Sequence, residues 1–405
     1  MKKNQVLEML PFAPLRFTYT RGSEALADQI NAHLVKMRNE RILTHNTIHK
    51  NLEGYLRDDY RVTAKLPRFG SGEAKGQLDC SVRGTDFFIL CDPVNDSNIY
   101  KMSGMDNLSS PDDQYQDLKR IIGAACGVPR RINVIMPFLY EGRQHRRSGR
   151  ESLDCAVMLE ELSNMGVENI ITFDAHDPRV QNAVPLKGFD NFYTSYQFIR
   201  AIFEYDPDFI PDPEHLVIIS PDEGGMTRSV YYAGILGVEM GMFYKRRDYT
   251  HIVDGRNPIV AHEYLGRSVE GKTVIIVDDM ISSGESMLDV ARELHLRKAA
   301  KILIVTTFGL FNKGMQAFDQ AYEEHIFDHI FTTNLNFTPA ETLSRPYYTQ
   351  VDLSKYIALI IDTLNHNASV NDILNPNERI REMLSARLAH FGISVPESLR
   401  NETQD

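Results

Sequence analysis

The sequence is poor in the features that mark secreted, zinc-clustered or membrane-spanning chains. Its four cysteines, Cys80, Cys91, Cys126 and Cys155, are scattered, with no C-x-x-C pair and no zinc spacing. That pattern suits free thiols in a reducing cytoplasm. No apolar run approaches the length needed to cross a bilayer,. The opening MKKNQVLEML carries lysines but no sustained apolar segment after them, which reads against a signal peptide. A basic excess is also missing. The formal net charge is −11, whereas a general nucleic-acid binder needs a cationic surface to displace counterions from phosphates. Nothing is of low complexity, and the dinucleotide fingerprint G-x-G-x-x-G is absent,. What is present is ordinary for a soluble globular protein: 405 residues, 42% hydrophobic and 24% charged, long enough for two cores. The expectation is a soluble cytoplasmic enzyme that binds neither nucleic acid nor membrane.

Apolar runs of strand length recur along the chain: DFFILCD, INVIMPFLY, NIITFD, HLVIIS, VEMGMFY, TVIIVDD and KILIVTTF. Helix-patterned segments lie between them, such as SLDCAVMLEELSNMG and TRSVYYAGILG, each ending at a glycine suited to a helix C-terminus,. Such alternation predicts an α/β fold with a largely parallel sheet. There is also an internal echo. SVRGTDFFILCD (81–92) and SVEGKTVIIVDD (268–279) agree at five of twelve positions without gaps. Chance competes for so short a match, yet each copy is followed by a helix and another strand, which favours two similarly folded halves. The segments 35–65 and 93–114 are polar and less periodic and read as surface elaborations, and residues beyond 375 read as a charged, helix-capable tail.

The stretch VIIVDDMISSGESM (274–287) poses the central chemical question. Four β-branched aliphatics form a strand buried on both faces. Asp278 and Asp279 end it, and a loop of Ser282, Ser283, Gly284, Glu285 and Ser286 leads into an amphipathic helix. Strand, small-residue loop and helix N-terminus together cradle an anion, because unpaired backbone N–H groups point at it. Two acids beside a phosphate require a ligand that also offers hydroxyl donors or a metal ion. A sugar phosphate meets both demands, since carboxylates accept hydrogen bonds from vicinal ribose hydroxyls.

Four further stretches carry candidate chemistry. GRQHRRSGR (142–150) holds four arginines in nine residues after a strand. It is either a solvated basic loop or a polyphosphate clamp, which arginine's planar fork suits. In NIITFDAHDPRVQ (169–181) the strand ends at Phe173, and Asp174 and His176 follow. His176 could ligate a metal or bond a phosphate, and no His-x-x-x-His accompanies it. HLVIISPDEGGMTRS (215–229) runs from strand through Pro-Asp-Glu-Gly-Gly into a helix. This is a plain turn, or a ligand loop in which Asp222 holds Mg²⁺. VEMGMFYKRRD (238–248) ends in Lys245, Arg246 and Arg247, and strand alternation would aim Lys245 and Arg247 at one site,. The polar segment 249–258 after it reads as a mobile arm that would bring both cations to a phosphoryl-transfer transition state late.

Taken together, these motifs resemble the ribose-phosphate pyrophosphokinase family over roughly residues 20–375. The resemblance implies two similar domains of the type I phosphoribosyltransferase kind, at 1–187 and 188–345, with a C-terminal helical segment and tail at 346–405. It implies transfer of the β,γ-diphosphoryl group of ATP to the 1-hydroxyl of ribose 5-phosphate, with Mg²⁺ as cofactor, in a homo-oligomer (dimer or hexamer). Arg143 and Gln144 would contact ATP, and His176 and Asp222 the metal. Lys245, Arg247 and His176 would be catalytic, with Arg247 also reaching the sugar phosphate. Asp278, Asp279 and residues 282–286 would grip ribose 5-phosphate. PRFGSGEAK (67–75) looks like the family's adenine loop, bringing Phe69, Ser71, Gly72 and Glu73 to ATP, in that family from a neighbouring subunit. The chain departs from the pattern in four places. Ser71 and His145 stand where Asp is usual, Ser282-Ser283 replaces Asp-Thr, and Glu285 replaces glycine. Two alternatives remain at this point: a phosphoribosyltransferase, which has no need of the arginine loop or of Lys245 and Arg247, and a non-catalytic regulatory homologue.

Overall fold

A computed structural model describes residues 9–45, 48–247 and 259–393. Along the first part of the chain run β1 (Leu15–Tyr19), α1 (Glu24–His45), β2 (Ala64–Lys65), β3 (Gln77–Leu78), β4 (Asp86–Leu90), β5 (Ile99–Met102), β6 (Met105–Leu108), α2 (Pro111–Ala124), β7 (Arg131–Ile135), α3 (Asp154–Asn164), β8 (Val167–Phe173) and β9 (Gly188–Phe192). There follow α4 (Ser195–Tyr205), β10 (Leu216–Ser220), α5 (Met226–Leu236), β11 (Glu239–Arg247), β12 (Ile259–Leu265), β13 (Thr273–Ile281), α6 (Glu285–Leu296), β14 (Lys301–Gly309), α7 (Gln316–Glu323), β15 (His329–Thr333), β16 (Tyr348–Val351), α8 (Ser354–Asn365) and α9 (Asn377–His390). Among the described residues, no helix is long and apolar enough to cross a membrane.

The chain folds as two compact units. One comprises Met1–Tyr193, Asn334–Phe337 and Asp352–Leu374; the other Thr194–Thr333, Thr338–Val351 and Asn375–Asp405. The first holds a five-stranded sheet in the order β1-β4-β7-β8-β9, parallel throughout. The second holds a seven-stranded sheet in the order β12-β11-β10-β13-β14-β15-β16, parallel except for the β11–β12 hairpin. The architecture is therefore the α/β one that the alternation predicts. Each sheet packs its own core: Phe87, Ile89, Val134 and Ile170 meet Leu118 and Leu162 in the first, while Ile219, Val274, Ile276 and Ile304 meet Leu288 and Leu294 in the second. Strands covered by helices on both faces read as unbroken apolar runs rather than alternating ones.

The internal echo is structural. Val82 and Val269 are both buried, and Gly84 and Gly271 both take the left-handed conformation, with φ of 71° and 73°. The Gly84 N–H donates to Val128 O and the Gly271 N–H to Lys298 O, each reaching the turn that precedes the next strand. Thr85 and Lys272 then close the same turn onto Val82 O and Val269 O. Two turns with one hydrogen-bond plan launch β4 and β13, each the fourth strand counted from one end of its sheet, β9 and β16 respectively.

Segment 35–65 is not merely a surface elaboration. Its first part completes α1, where the fully buried Arg38 donates to Asp362 Oδ1 on α8 (2.8 Å) and to Asn365 Oδ1 (2.6 Å). Its guanidinium also lies 4.6 Å from the Tyr55 ring. Arg41 bonds the second Asp362 oxygen. Charge density marks a surface only when no partner waits inside, and here the partner lies 324 positions away in sequence. The segment 346–405 is likewise divided: β16 is the edge strand of the second sheet, α8 belongs to the first unit, and α9 belongs to the second. Strand β9, beyond residue 187, completes the first sheet.

Candidate active site

The strand order locates the crevice. In the second sheet β10 leads through α5 to β11 on one side, whereas β13 leads through α6 to β14 on the other. The winding therefore reverses between β10 and β13, and open α/β sheets bind ligands at such a switch, outside the carboxyl ends of the strands. The first sheet winds one way only, from β1 to β9, and has no such point. The loop after β10 carries Asp222, and the loop after β13 is the Ser/Gly cradle.

Asp222 builds its own turn. Its Oδ1 accepts from the Gly224 N–H (3.0 Å) and the Gly225 N–H (3.3 Å), and its carbonyl accepts from the Ser220 hydroxyl (2.7 Å). Strand β13 runs further than its sequence implies. Asp278 and Asp279 lie within it, because Asp278, Met280 and Ile281 still pair with β14 after the pairing with β10 stops at Ile276. Burial and then the charge of Asp279 push the Asp278 carboxyl well above its usual range. Arg228, 3.8 Å away, works against this, and Asp222 adds to it. Gly284 caps α6 with φ of 86°, and a side chain there would meet the Phe318 ring at 2.4 Å. Only glycine lets the chain turn that tightly into the helix, whose first N–H groups have no intrahelical partners.

The cationic strand end lies on the same edge. β11 and β13 flank β10 and run parallel to it, so they stand two strand spacings apart, about 10 Å,. Gly241 and Ile276 both pair with Ile219, so the Lys245 backbone, four residues on, is level with Met280 between Asp278 and Ser282. The pairing of β11 with β12 slips after Arg246, which pairs with Ala261 while Arg247 pairs with Ile259, so the extra residue of this bulge belongs to β12,. The expected mobile arm, 249–258, lies outside the described residues.

In the first unit, β7 ends at Ile135, earlier than INVIMPFLY implies, and a loop carries residues 136–153 to α3. Arg143 is exposed there, and Gln144 is partly buried. The His145 ring lies 5.4 Å from that of His176, and His145 Nε2 is 3.5 Å from Asp177 Oδ2, so the arginine loop and the His176 loop meet. Arg179, bonded to Asp177 through three nitrogens, holds the Asp177 carboxyl down at about 2. Loop 67–75 has other neighbours. It rests on β5–β6 and α2, with Phe69 half exposed. Sequence reasoning passed over Arg228, Asp177 and the turn 310–314 beside the cradle. Of these only Arg228 carried a signal, a lone cation six residues after Asp222 at the start of α5.

Among the described residues no group of three or more His, Cys, Asp or Glu side chains is assembled to hold a metal alone. The donor chemistry in the second unit fits a different kind of site. Asp222, Asp278 and Asp279 concentrate negative charge that raises the Asp278 pKa. Mg²⁺ is usually bound through one or two carboxylates plus substrate phosphates rather than by an all-protein cage.

Residues 17–166 match the N-terminal domain of ribose phosphate pyrophosphokinase, and residues 195–341 match the phosphoribosyl transferase domain. Among curated relatives, the ribose-phosphate pyrophosphokinase of Mycoplasma pneumoniae is 28% identical over 312 residues, 75% of this chain and 85% of that one. The Vibrio cholerae enzyme of the same name is 28% identical over 320 residues, 77% and 91%. The crystal structure of phosphoribosylpyrophosphate synthetase from Mycobacterium smegmatis superposes with a TM-score of 0.67 at 22% identity, covering 87% of this chain and 99% of that one, which shows a common fold. With both domains matched in order, the chain belongs to the ribose-phosphate pyrophosphokinase family.

Proposed function

We propose that the chain transfers the β,γ-diphosphoryl group of ATP to the 1-hydroxyl of ribose 5-phosphate, giving phosphoribosyl pyrophosphate and AMP. The observation that carries this reading is the second sheet's switch point, with the Ser/Gly cradle on one side and the Lys245 strand end two strands away. The α6 N–H groups and the hydroxyls of Ser282, Ser283 and Ser286 hold the 5-phosphate, while Asp278 and Asp279 accept hydrogen bonds from the ribose hydroxyls. The two acids therefore face donors rather than the phosphate. Phe69, Ser71, Gly72 and Glu73 take the adenine, and Arg143 and Gln144 the triphosphate. Asp222 and His176 are the proposed ligands of Mg²⁺, which when bound offsets charge on the phosphate oxygens. The chain does little covalent work. It places the 1-hydroxyl in line with the β-phosphorus, and Lys245, with Arg247, neutralises the charge that grows there. By the same family resemblance the working form is a homo-oligomer.

The test is AMP release on mixing the protein with ATP, ribose 5-phosphate and Mg²⁺. AMP formed in proportion to ribose 5-phosphate, and abolished by chelation, supports the reading. Consumption of phosphoribosyl pyrophosphate with a free base, and no AMP from ATP, would identify a phosphoribosyltransferase instead. ATP binding without turnover would identify a regulatory homologue.

A further inference from the structure

Segment 93–114, which carried no chemistry in the sequence, folds into a small structure with one committed face. β5 and β6 pair Ile99 with Leu108, Tyr100 with Asn107, Lys101 with Asp106 and Met102 with Met105. Cross-strand partners share a face, and faces alternate along a strand. Ile99, Leu108 and the ion-paired Lys101 and Asp106 (3.0 Å) therefore form one face. Tyr100, Asn107, Met102 and Met105 form the other, and it is this face that meets loop 67–75.

The contacts hold the loop at its base and along its crown. At the base, the Arg68 guanidinium lies 4.6 Å from the centre of the Tyr100 ring and donates to Asp117 Oδ2 (2.8 Å). It also lies 3.7 Å from Asp113 Oδ1, and the Tyr100 hydroxyl donates to the same carboxylate at 3.4 Å. Along the crown, the Ser103 N–H donates to Gly70 O (2.8 Å) from the hairpin's tip. Gly72 has φ of 93°, a left-handed conformation that side chains rarely adopt, and it lies directly beneath Met102, whose Sδ would stand 2.7 Å from a Cβ there,. At the exit, a Cβ on Gly76 would meet Arg120 O at 2.3 Å, which seats that end against α2. Within the loop, the Phe69 N–H donates to Glu73 O (2.7 Å), the Gly72 N–H to Phe69 O (2.9 Å) and the Ser71 hydroxyl to Glu73 Oε2 (2.9 Å). The outcome is a closed turn that presents Phe69, 52% exposed, at its surface.

We infer that the β5–β6 hairpin is a clamp that pre-orders loop 67–75 for the base of ATP, with Tyr100 and Met102 as its positioning residues. This rests on the proposed function, which assigns that loop to adenine. A loop with glycines at 70, 72 and 76 has a large conformational entropy when free, and fixing it upon binding would oppose affinity. Holding it beforehand through a second element removes that opposition, the usual effect of preorganisation. Neither Tyr100 nor Met102 is assigned to the substrate itself. The clamp therefore acts on nucleotide affinity and leaves the transfer step alone.

The experiment uses the full chain and measures AMP release with ATP varied at saturating ribose 5-phosphate, and the reverse, beside equilibrium ATP binding and thermal melting. Tyr100→Leu and Met102→Ala should each raise KM and Kd for ATP about fivefold. Turnover and KM for ribose 5-phosphate should stay within about twofold of the parent. Tyr100→Phe keeps the ring over Arg68, and Met102→Leu keeps the cover over Gly72, so both should restore ATP affinity. Lys101→Ala, on the opposite face, should change nothing. ATP affinity unmoved in both Tyr100→Leu and Met102→Ala overturns the inference, as does an equal loss for both substrates or a loss of folding in both variants. A parent chain that binds ATP yet releases no AMP refutes the proposed function instead, and the clamp is then read from the Kd for ATP alone.

Discussion

Glu285 stands where the family resemblance expects glycine, and the structure shows what accompanies it. The turn after β14 is strapped along the cradle. The Leu310 N–H donates to Ile281 O (2.9 Å), the Asn312 N–H to Ser282 O (2.9 Å) and the Asn312 side chain to Ser282 Oγ (3.2 Å). The strap delivers Lys313 Nζ to 2.6 Å from Glu285 Oε1. Both side chains are largely exposed, at 65% and 68%, so the pair itself adds under about 1 kcal/mol to folding. Its effect on a bound phosphate is another matter. A carboxylate about 6 Å from a phosphate dianion, in a nearly aqueous dielectric, opposes binding by about 1.4 kcal/mol, roughly tenfold in affinity. Lys313 cancels most of that. Lys313→Ala should therefore raise the KM for ribose 5-phosphate about five- to tenfold with little change in melting temperature. Glu285→Gly should lower it, and the double variant should return to within about twofold of the parent. The assay is the initial rate of AMP formation at saturating ATP, in low salt and again in about 0.5 M KCl, where screening should shrink every difference. If Lys313→Ala binds ribose 5-phosphate normally, or if the double variant is no better than Lys313→Ala alone, the reasoning about the cradle's charge fails.

Three further outcomes follow from the same structure. Lys245→Ala should reduce turnover by two or more orders of magnitude while calorimetric binding of ribose 5-phosphate persists; near-normal turnover would remove Lys245 from the mechanism. Asp362→Asn leaves Arg38 buried beside a neutral partner, which should cost about 3–5 kcal/mol in denaturant unfolding, against under about 1 kcal/mol if the network is incidental. Asp92 is buried, and burial raises its pKa to about 7, against the N–H groups of Phe337 and Val94, which favour the ionised form. Its folded pKa lies above the unfolded value of about 4, so the native state binds the extra proton between those values and loses stability as pH rises through that window. Asp92→Asn should remove a slope worth up to about 4 kcal/mol between pH 4 and 7; parallel curves for the two proteins would contradict this.

Much of the fold is readable from local pattern. The doubly buried strands β4, β10, β13 and β14 are apolar runs in the sequence, and the paired turns at Gly84 and Gly271 appear as the internal echo. What escapes is whatever depends on a distant partner. Arg38 reads as a surface cation because Asp362 and Asn365, its partners, lie on a helix far along the chain. Asp278 and Asp279 read as the residues that end a strand, yet β14 continues to pair past them. The candidate site divides the same way. Its loops are visible as small-residue breaks after apolar runs, whereas the meeting of His145 with His176 and Asp177, and of Lys313 with Glu285, is set by which loops the sheets place side by side.

The central claim is transfer of a diphosphoryl group, and phosphorus NMR of one reaction mixture tests it most directly. With Mg²⁺, ATP and ribose 5-phosphate, the account predicts that the three ATP resonances give way to AMP and to two coupled resonances of a pyrophosphoryl group on the sugar's 1-oxygen. Appearance of ADP with a sugar bisphosphate bearing a single phosphoryl group on the 1-oxygen, or of free phosphate alone, would contradict it.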